Sequence, residues 1–297
     1  MSSARRPAAA GRFYEATKEA LSASLRECFL HALGPGSLPE PAADGPRRIS
    51  ALVSPHAGYL YSGPAAAHGF AALAADGIPE TAVILGPTHH SPARPASVSL
   101  AQTWSTPLGE VPVNVELGRR LIEASPLLEV DESAHRGEHS LEVQLPFLQF
   151  VYGDRLPAIC PICIRSQVVT GLREWMEDSK AIGETLAQSV GPDGAVVIAS
   201  TDFSHHVPHA AAQRQDRLAL DAILALDPER FLHTVHENGI SMCGPIPVAI
   251  ALHFCLARGP HQPELFRYYT SGDIIGDRSA VVGYASAAIR LTGGDSQ

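Results

Sequence analysis

Several residues able to bind a metal or move a proton sit directly behind short apolar runs. His56 follows the run in ISALVSPHAGY (residues 49–59), His89 and His90 follow the one in AVILGPTHHSP (residues 82–92), and Asp202, His205 and His206 end the one in AVVIASTDFSHHV (residues 195–207). Each run is too short for a helix and stops at turn-forming residues, the pattern of a buried strand that ends in a loop. In open α/β sheets ligands bind outside the carboxyl ends of the strands, so the three loops are expected to converge on one site. Neutral imidazoles are common metal ligands, and a bound metal is the most economical reason to gather them. Neighbouring side chains on an extended backbone point to opposite faces. One histidine of the pair His89/His90 and one of His205/His206 should therefore face inward, and spacing does not choose between them. Cys243, in NGISMCGPIP (residues 238–247), is a third candidate ligand. It precedes Pro247, read as marking a helix start, where free N–H groups and the helix dipole favour a thiolate.

The intervening elements would have to position these groups. Residues 15–33 read as an amphipathic helix, with Leu21, Leu25, Phe29 and Leu33 at four-residue steps. An Ala-rich helix is expected after Gly63-Pro64, with the proline in its first turn. The segment LEVQLPFLQFVYG, led by Glu138-His139-Ser140, reads as a buried helix kinked at Pro146. Residues 170–190, 210–226, 228–237 and 248–257 are further helices, and residues 265–270 and 280–289 closing strands. This alternation predicts an α/β fold, a single domain over residues 1–297 with a largely parallel central sheet flanked by helices. Residues 1–10 and 292–297 are expected to be mobile.

With 22 basic and 31 acidic residues the net charge is −9, and no basic cluster could neutralise a run of phosphates, so nucleic acid is not an expected partner. No apolar run is long enough to span a membrane, and the amino-terminal residues lack the apolar core of a signal peptide, which predicts a cytoplasmic protein without a membrane partner. Five scattered cysteines, an odd number, argue for reduced thiols. The Cys160/Cys163 CPIC pair, inside an apolar strand-like run, is read as core rather than as a redox or zinc motif.

The motifs PHAGYLYSGPAAAH (residues 55–68), ILGPTHH (84–90), EHSLEVQLPFL (138–148), STDFSHH (200–206) and MCGPIP (242–247) resemble those of the Memo family, also called AmmeMemoRadiSam system protein B. The amino-terminal AGRFYEA and the carboxyl-terminal YYTSGDIIGD and VVGYAS extend the resemblance over the whole chain. It implies a fold similar to the LigB-like class III extradiol dioxygenases, which use non-heme Fe(II). It also implies a metal site of His56, His89 and Cys243, with Asp202 and His205 as the polar pair of the pocket and His205 in the acid/base position. His139, Tyr59 and His90 are carried over more weakly, as substrate-binding or supporting residues. Pro245 departs from the pattern, standing where the family often has arginine. The family name implies AMMECR-type and radical SAM protein partners.

The first functional reading is a non-heme iron oxidoreductase acting with O₂ on a small organic substrate, with Fe(II) as cofactor. The second is an adaptor that keeps a Cu or Zn site without turnover, a role suggested by the link of eukaryotic family members to signalling. A Zn-dependent hydrolase ranks third.

Overall fold

The computed structural model describes residues 4–89, 95–165, 171–191 and 194–292. Its central sheet has nine strands, and four of them form a parallel core in the order Ile49–Ser54, Ala195–Ser200, Thr81–Thr88, Ala158–Arg165. The fold is therefore α/β, as expected, with a mixed sheet: the four central strands and the edge pair Ala96–Val98 and Leu128–Val130 are parallel, and the remaining pairings are antiparallel. The strand Val281–Leu291 joins Ile49–Ser54 antiparallel, and Ala96–Val98 joins Ala158–Arg165 antiparallel. His261–Thr270 and His205–Val207 both pair with Val281–Leu291, also antiparallel. A separate three-stranded sheet contains Ala4–Arg5, Thr103–Thr106 and Gly109–Pro112.

Burial on both faces explains why the parallel strands read as continuous apolar runs. Side chains alternate between two cores: Ala51, Val53, Val83, Leu85, Val197 and Ala199 belong to one. Leu52, Ala82, Ile84, Val196 and Ile198 belong to the other. The first core is covered by helices that include Leu172–Ser189 and Pro245–Leu256, the second by Lys18–Leu30, Tyr59–Asp76 and Leu145–Tyr152. The same alternation separates Cys160 from Cys163. Both are buried and free, one in each core, so the CPIC sequence cannot close on itself within the strand.

Three expected local features differ. The helix read as starting after Pro64 begins at Tyr59 and contains Pro64. The bond lost at this proline is the one to the carbonyl of Leu60, a residue at the solvent-exposed start of the helix, which limits the disruption. Pro146 lies in the first turn of Leu145–Tyr152, following a 3₁₀ turn at Glu142–Gln144, so it starts a helix rather than kinking one. Finally, the amino-terminal residues expected to be mobile are fastened from Ala4 onward. Ala4–Arg5 pairs with Thr103–Thr106, and the buried Arg5 guanidinium bonds the carbonyls of His135 and Glu138 and the Glu142 carboxylate. Residues 1–3 and 293–297 lie outside the described residues. No described helix is long and apolar enough to cross a membrane.

Candidate metal centre

His56, His89 and Asp202 follow the carboxyl ends of Ile49–Ser54, Thr81–Thr88 and Ala195–Ser200, which are adjacent in the sheet with Ala195–Ser200 in the middle. The three loops therefore meet, as the sequence predicts. The ring centroids of His56 and His89 are 5.6 Å apart, and Asp202 Oδ1 accepts the backbone N–H of His56 at 2.8 Å. Cys243 arrives from the loop before Pro245–Leu256. Its N–H donates to the Asp202 carbonyl at 3.3 Å, the Asp202 N–H points at its Sγ at 3.1 Å, and Gly244 donates to Thr201 Oγ1 at 3.0 Å. Cys243 Sγ lies 3.1 Å from His56 Nε2.

Hydrogen bonding settles the tautomer of His56. Ser200 Oγ is 2.6 Å from the Ser140 carbonyl, which can only accept, so the hydroxyl hydrogen is committed there. Ser200 Oγ also receives a Gln144 N–H at 2.9 Å. The contact between His56 Nδ1 and the same oxygen at 2.9 Å must then be an Nδ1–H donation, which leaves Nε2 bare. Burial, followed by the proximity of His89, pushes His56 down to about 3 against the pull of Glu138, so the ring is neutral near neutral pH.

Glu138 does for His89 what Ser200 does for His56. Its side chain is fully buried, Oε1 accepts from His89 Nδ1 at 2.9 Å, and Oε2 accepts the His89 backbone N–H at 2.6 Å. Oε1 also accepts the N–H groups of His139 and Ser140, at 2.9 and 2.8 Å. Burial raises the pKa of Glu138, but the hydrogen bonds and proximity of His89 and the backbone N–H groups outweigh it, and the carboxyl is held well below its usual range. The EHS triplet marked a helix start in the sequence, and nothing there showed that its glutamate turns inward. A carboxylate three residues before a predicted 3₁₀ or helical turn, in a chain rich in loop histidines, is the signal that could have found it.

His139 also lies in the site. Its ring stacks on His89 with centroids 4.4 Å apart and on Phe13 at 4.0 Å, and burial, then His56, pushes it down to about 3. His205 is half-buried at the rim, with Nδ1 2.8 Å from the Ser241 carbonyl, so Nδ1 carries the hydrogen and Nε2 is free. His206 is exposed and adopts a left-handed backbone conformation, φ 57°. Buried Asp202 is pushed up by desolvation, against the opposing influence of His205 and the His56 N–H. Tyr59 is buried beside the site, but its hydroxyl donates to the Val143 carbonyl at 2.7 Å rather than facing the imidazoles. His90 lies outside the described residues.

The expected thiolate stabilisation at Cys243 is not what the structure provides. Burial, then Asp202, pushes the thiol up. The following helix begins Pro245-Ile246-Pro247, and the two prolines lack the N–H groups of an ordinary helix start.

Among the described residues, two groups of side chains able to hold a metal thus share His56. One ligand atom from each of His56, His89 and His139 lies within 4.8 Å of the others, and the same holds for His56, Asp202 and Cys243. The trio His56, His89 and Cys243 is divided between them.

The Memo-like protein family model matches residues 5–288. A MEMO1 family protein of Methanopyrus kandleri is 43% identical over 286 residues, covering 96% of this chain and 99% of its own length. A MEMO1 family protein of Methanothermobacter thermautotrophicus is 41% identical over 283 residues, covering 95% and 98%. Among solved structures, an uncharacterized protein from Escherichia coli K12 matches with a TM-score of 0.54 at 15% identity, covering 82% of this chain and all of that one, a likeness of fold alone. With a family model over nearly its whole length and relatives above 40% identity end to end, the chain belongs to the Memo family.

Proposed function

We propose that the chain is a metal-dependent oxidoreductase that holds Fe(II) through His56, His89 and Cys243 and acts with O₂ on a small organic substrate. The observation that carries this reading is the tautomer assignment. His56 and His89 each donate the Nδ1 hydrogen to a fixed acceptor, Ser200 or Glu138, which turns Nε2 toward the site. Two oriented imidazoles beside a thiol form a donor set that suits iron, copper or zinc. Iron is preferred because His205 and Asp202 supply proton-handling groups at the same rim.

When bound, Fe(II) supplies electron transfer toward O₂ and a chelating, electron-rich substrate. The protein's own part is positioning and proton movement. His205 Nε2, free while Nδ1 is bonded to Ser241, can take a proton from a substrate hydroxyl and return it. Asp202 sits within electrostatic reach of His205. The His89 side chain is 40% exposed, which leaves the imidazoles reachable from solvent, while His56 is buried.

The test is to purify the protein without air, load it with Fe(II), and measure bound iron and O₂ uptake with a panel of ortho-diphenols. About one iron per chain is expected in the wild type, with loss in His89→Ala and O₂ uptake that depends on iron. No iron above background in wild type and variant alike would overturn the reading.

A further inference from the structure

The oxidoreductase reading takes His89 and Cys243 from different groups around His56 and gives His139 no ligand role, yet His139 is built as a ligand is built. Its Nδ1 lies 3.3 Å from Glu138 Oε1, the oxygen that takes the His89 Nδ1–H at 2.9 Å. An ionised carboxylate only accepts, so the His89 contact is an Nδ1–H donation, while His139 turns the same ring nitrogen toward the same oxygen without closing a hydrogen bond. His56 likewise donates its Nδ1–H, to Ser200. The His139 ring is also held on both faces, by Phe13 at 4.0 Å and 20° and by His89 at 4.4 Å and 28°. A ring stacked on both faces offers a metal only its edge. One ring nitrogen from each of His56, His89 and His139 lies within 4.8 Å of the others.

We propose that His56, His89 and His139 form a second, all-imidazole metal position that overlaps the Cys243 position through His56 and takes a borderline divalent ion, Zn(II) or Co(II), without the thiol. The inference rests on the same pocket as the oxidoreductase reading and adds a ligand to it. Three neutral nitrogens leave the full charge of the ion uncompensated, whereas a thiolate cancels part of it. The two positions therefore differ in the metals they favour. Because they share His56, a chain holds one ion at a time. Glu138, fixed by three backbone N–H groups, orients the His89 ring through Nδ1 and lies 3.3 Å from His139 Nδ1.

The experiment is an anaerobic titration of the metal-free full chain with Co(II), read by absorption spectroscopy and by bound cobalt after desalting. The variants are Cys243→Ala, His139→Phe and the double variant; phenylalanine keeps the ring between Phe13 and His89 while removing its nitrogens. Cys243→Ala is expected to retain about one cobalt per chain without a sulfur-to-cobalt charge-transfer band, and the double variant to bind at least about 100-fold more weakly. His139→Phe alone should keep the charge-transfer band, which shows that the pocket still folds. Equal binding by Cys243→Ala and the double variant overturns the proposal. Loss of cobalt from Cys243→Ala while the wild type still binds also overturns it, and leaves the His56, His89, Cys243 reading standing. No binding by any form, wild type included, overturns both.

Discussion

Glu138 Oε1 lies 2.9 Å from His89 Nδ1, and the same carboxylate takes the His89 backbone N–H on its other oxygen at 2.6 Å. One buried side chain, in a loop, thus fixes the position, the tautomer and the ring plane of a candidate ligand that follows the strand Thr81–Thr88. A ligand histidine is commonly oriented through its second nitrogen in this way, and its basicity rises when the acceptor is charged.

Replacing this carboxylate should therefore weaken metal binding without removing a ligand. Glu138→Gln keeps the size but turns one acceptor into an N–H₂ donor facing N–H groups. Metal affinity is expected to fall about 10- to 100-fold. Loss of the buried charged acceptor should also cost about 1–3 kcal/mol of stability. Metal titration and urea unfolding of the metal-free protein check the two effects separately. Unchanged affinity would show that His89 orients itself.

How far the sequence reveals this site depends on the range of the interactions. His56, His89 and Asp202 were legible because an apolar run that stops at a turn is a local signal, and the carboxyl ends of adjacent parallel strands must lie together. Glu138 and Ser200 were not, because their partners are 49 and 144 residues away. The choice of His89 over its neighbour rested on family resemblance, since alternation alone is symmetric between them. The reading of Cys243 as a helix-stabilised thiolate failed for a local reason: Pro245 and Pro247 mark a helix start, but they also delete its donors. Pro64 and Pro146 misled in a similar way, because a proline is compatible with several positions near a helix start and only packing decides which.

The buried imidazoles also set the acid stability of the metal-free protein. His56 and His139 are pushed down to about 3 and His135 to about 4, chiefly by burial. In the unfolded chain they titrate near ~6.5, so between that pH and their folded values the unfolded state binds more protons. Stability must then fall as pH drops through ~6.5, by up to about 1.4 kcal/mol per pH unit for each imidazole. Asp202, raised by burial, acts in the opposite sense at lower pH. Glu138, depressed in the folded state, keeps its contribution above the unfolded value of ~4.3 and loses it only as pH falls further. Urea midpoints of the chelator-treated protein should decline from about pH 7.5 to about pH 5.5, and less steeply in His139→Phe. A flat profile over that range would contradict the neutral-imidazole assignment.

The amino-terminal strap is held by the same loop that carries Glu138. Arg5 donates to the carbonyls of His135 and Glu138, and pairs with Glu142, which also accepts the N–H groups of Ala8 and Ala9 at 2.8 Å each. Arg5 and Glu142 are 7% and 0% exposed, so removing one strands a buried charge. Arg5→Met should cost about 3–5 kcal/mol, and Arg5→Met with Glu142→Gln less than the sum of the two single changes. A double-mutant cycle by urea unfolding measures the coupling. Additive losses would mean that the pair does not act as a unit.

The last prediction concerns how closely the cysteine loop sits on the central strand. A Cβ at Gly244 would meet the Ser200 carbonyl oxygen at 2.6 Å and Thr201 Cβ at 2.8 Å, both too close to be tolerated without movement. These atoms belong to the strand end that carries Ser200, the group holding His56, so the loop can move only by carrying Cys243 away from His56. Gly244→Ala should therefore cost about 1–3 kcal/mol. It should also reduce the sulfur-to-cobalt charge-transfer band more than it reduces bound cobalt, since His56, His89 and His139 remain in place. Gly171→Ala is the control: among the described residues no atom approaches its Cβ position within 4 Å, and its stability should stay within about 0.5 kcal/mol of wild type. If Gly244→Ala keeps the full band, Cys243 does not depend on this contact to reach the metal.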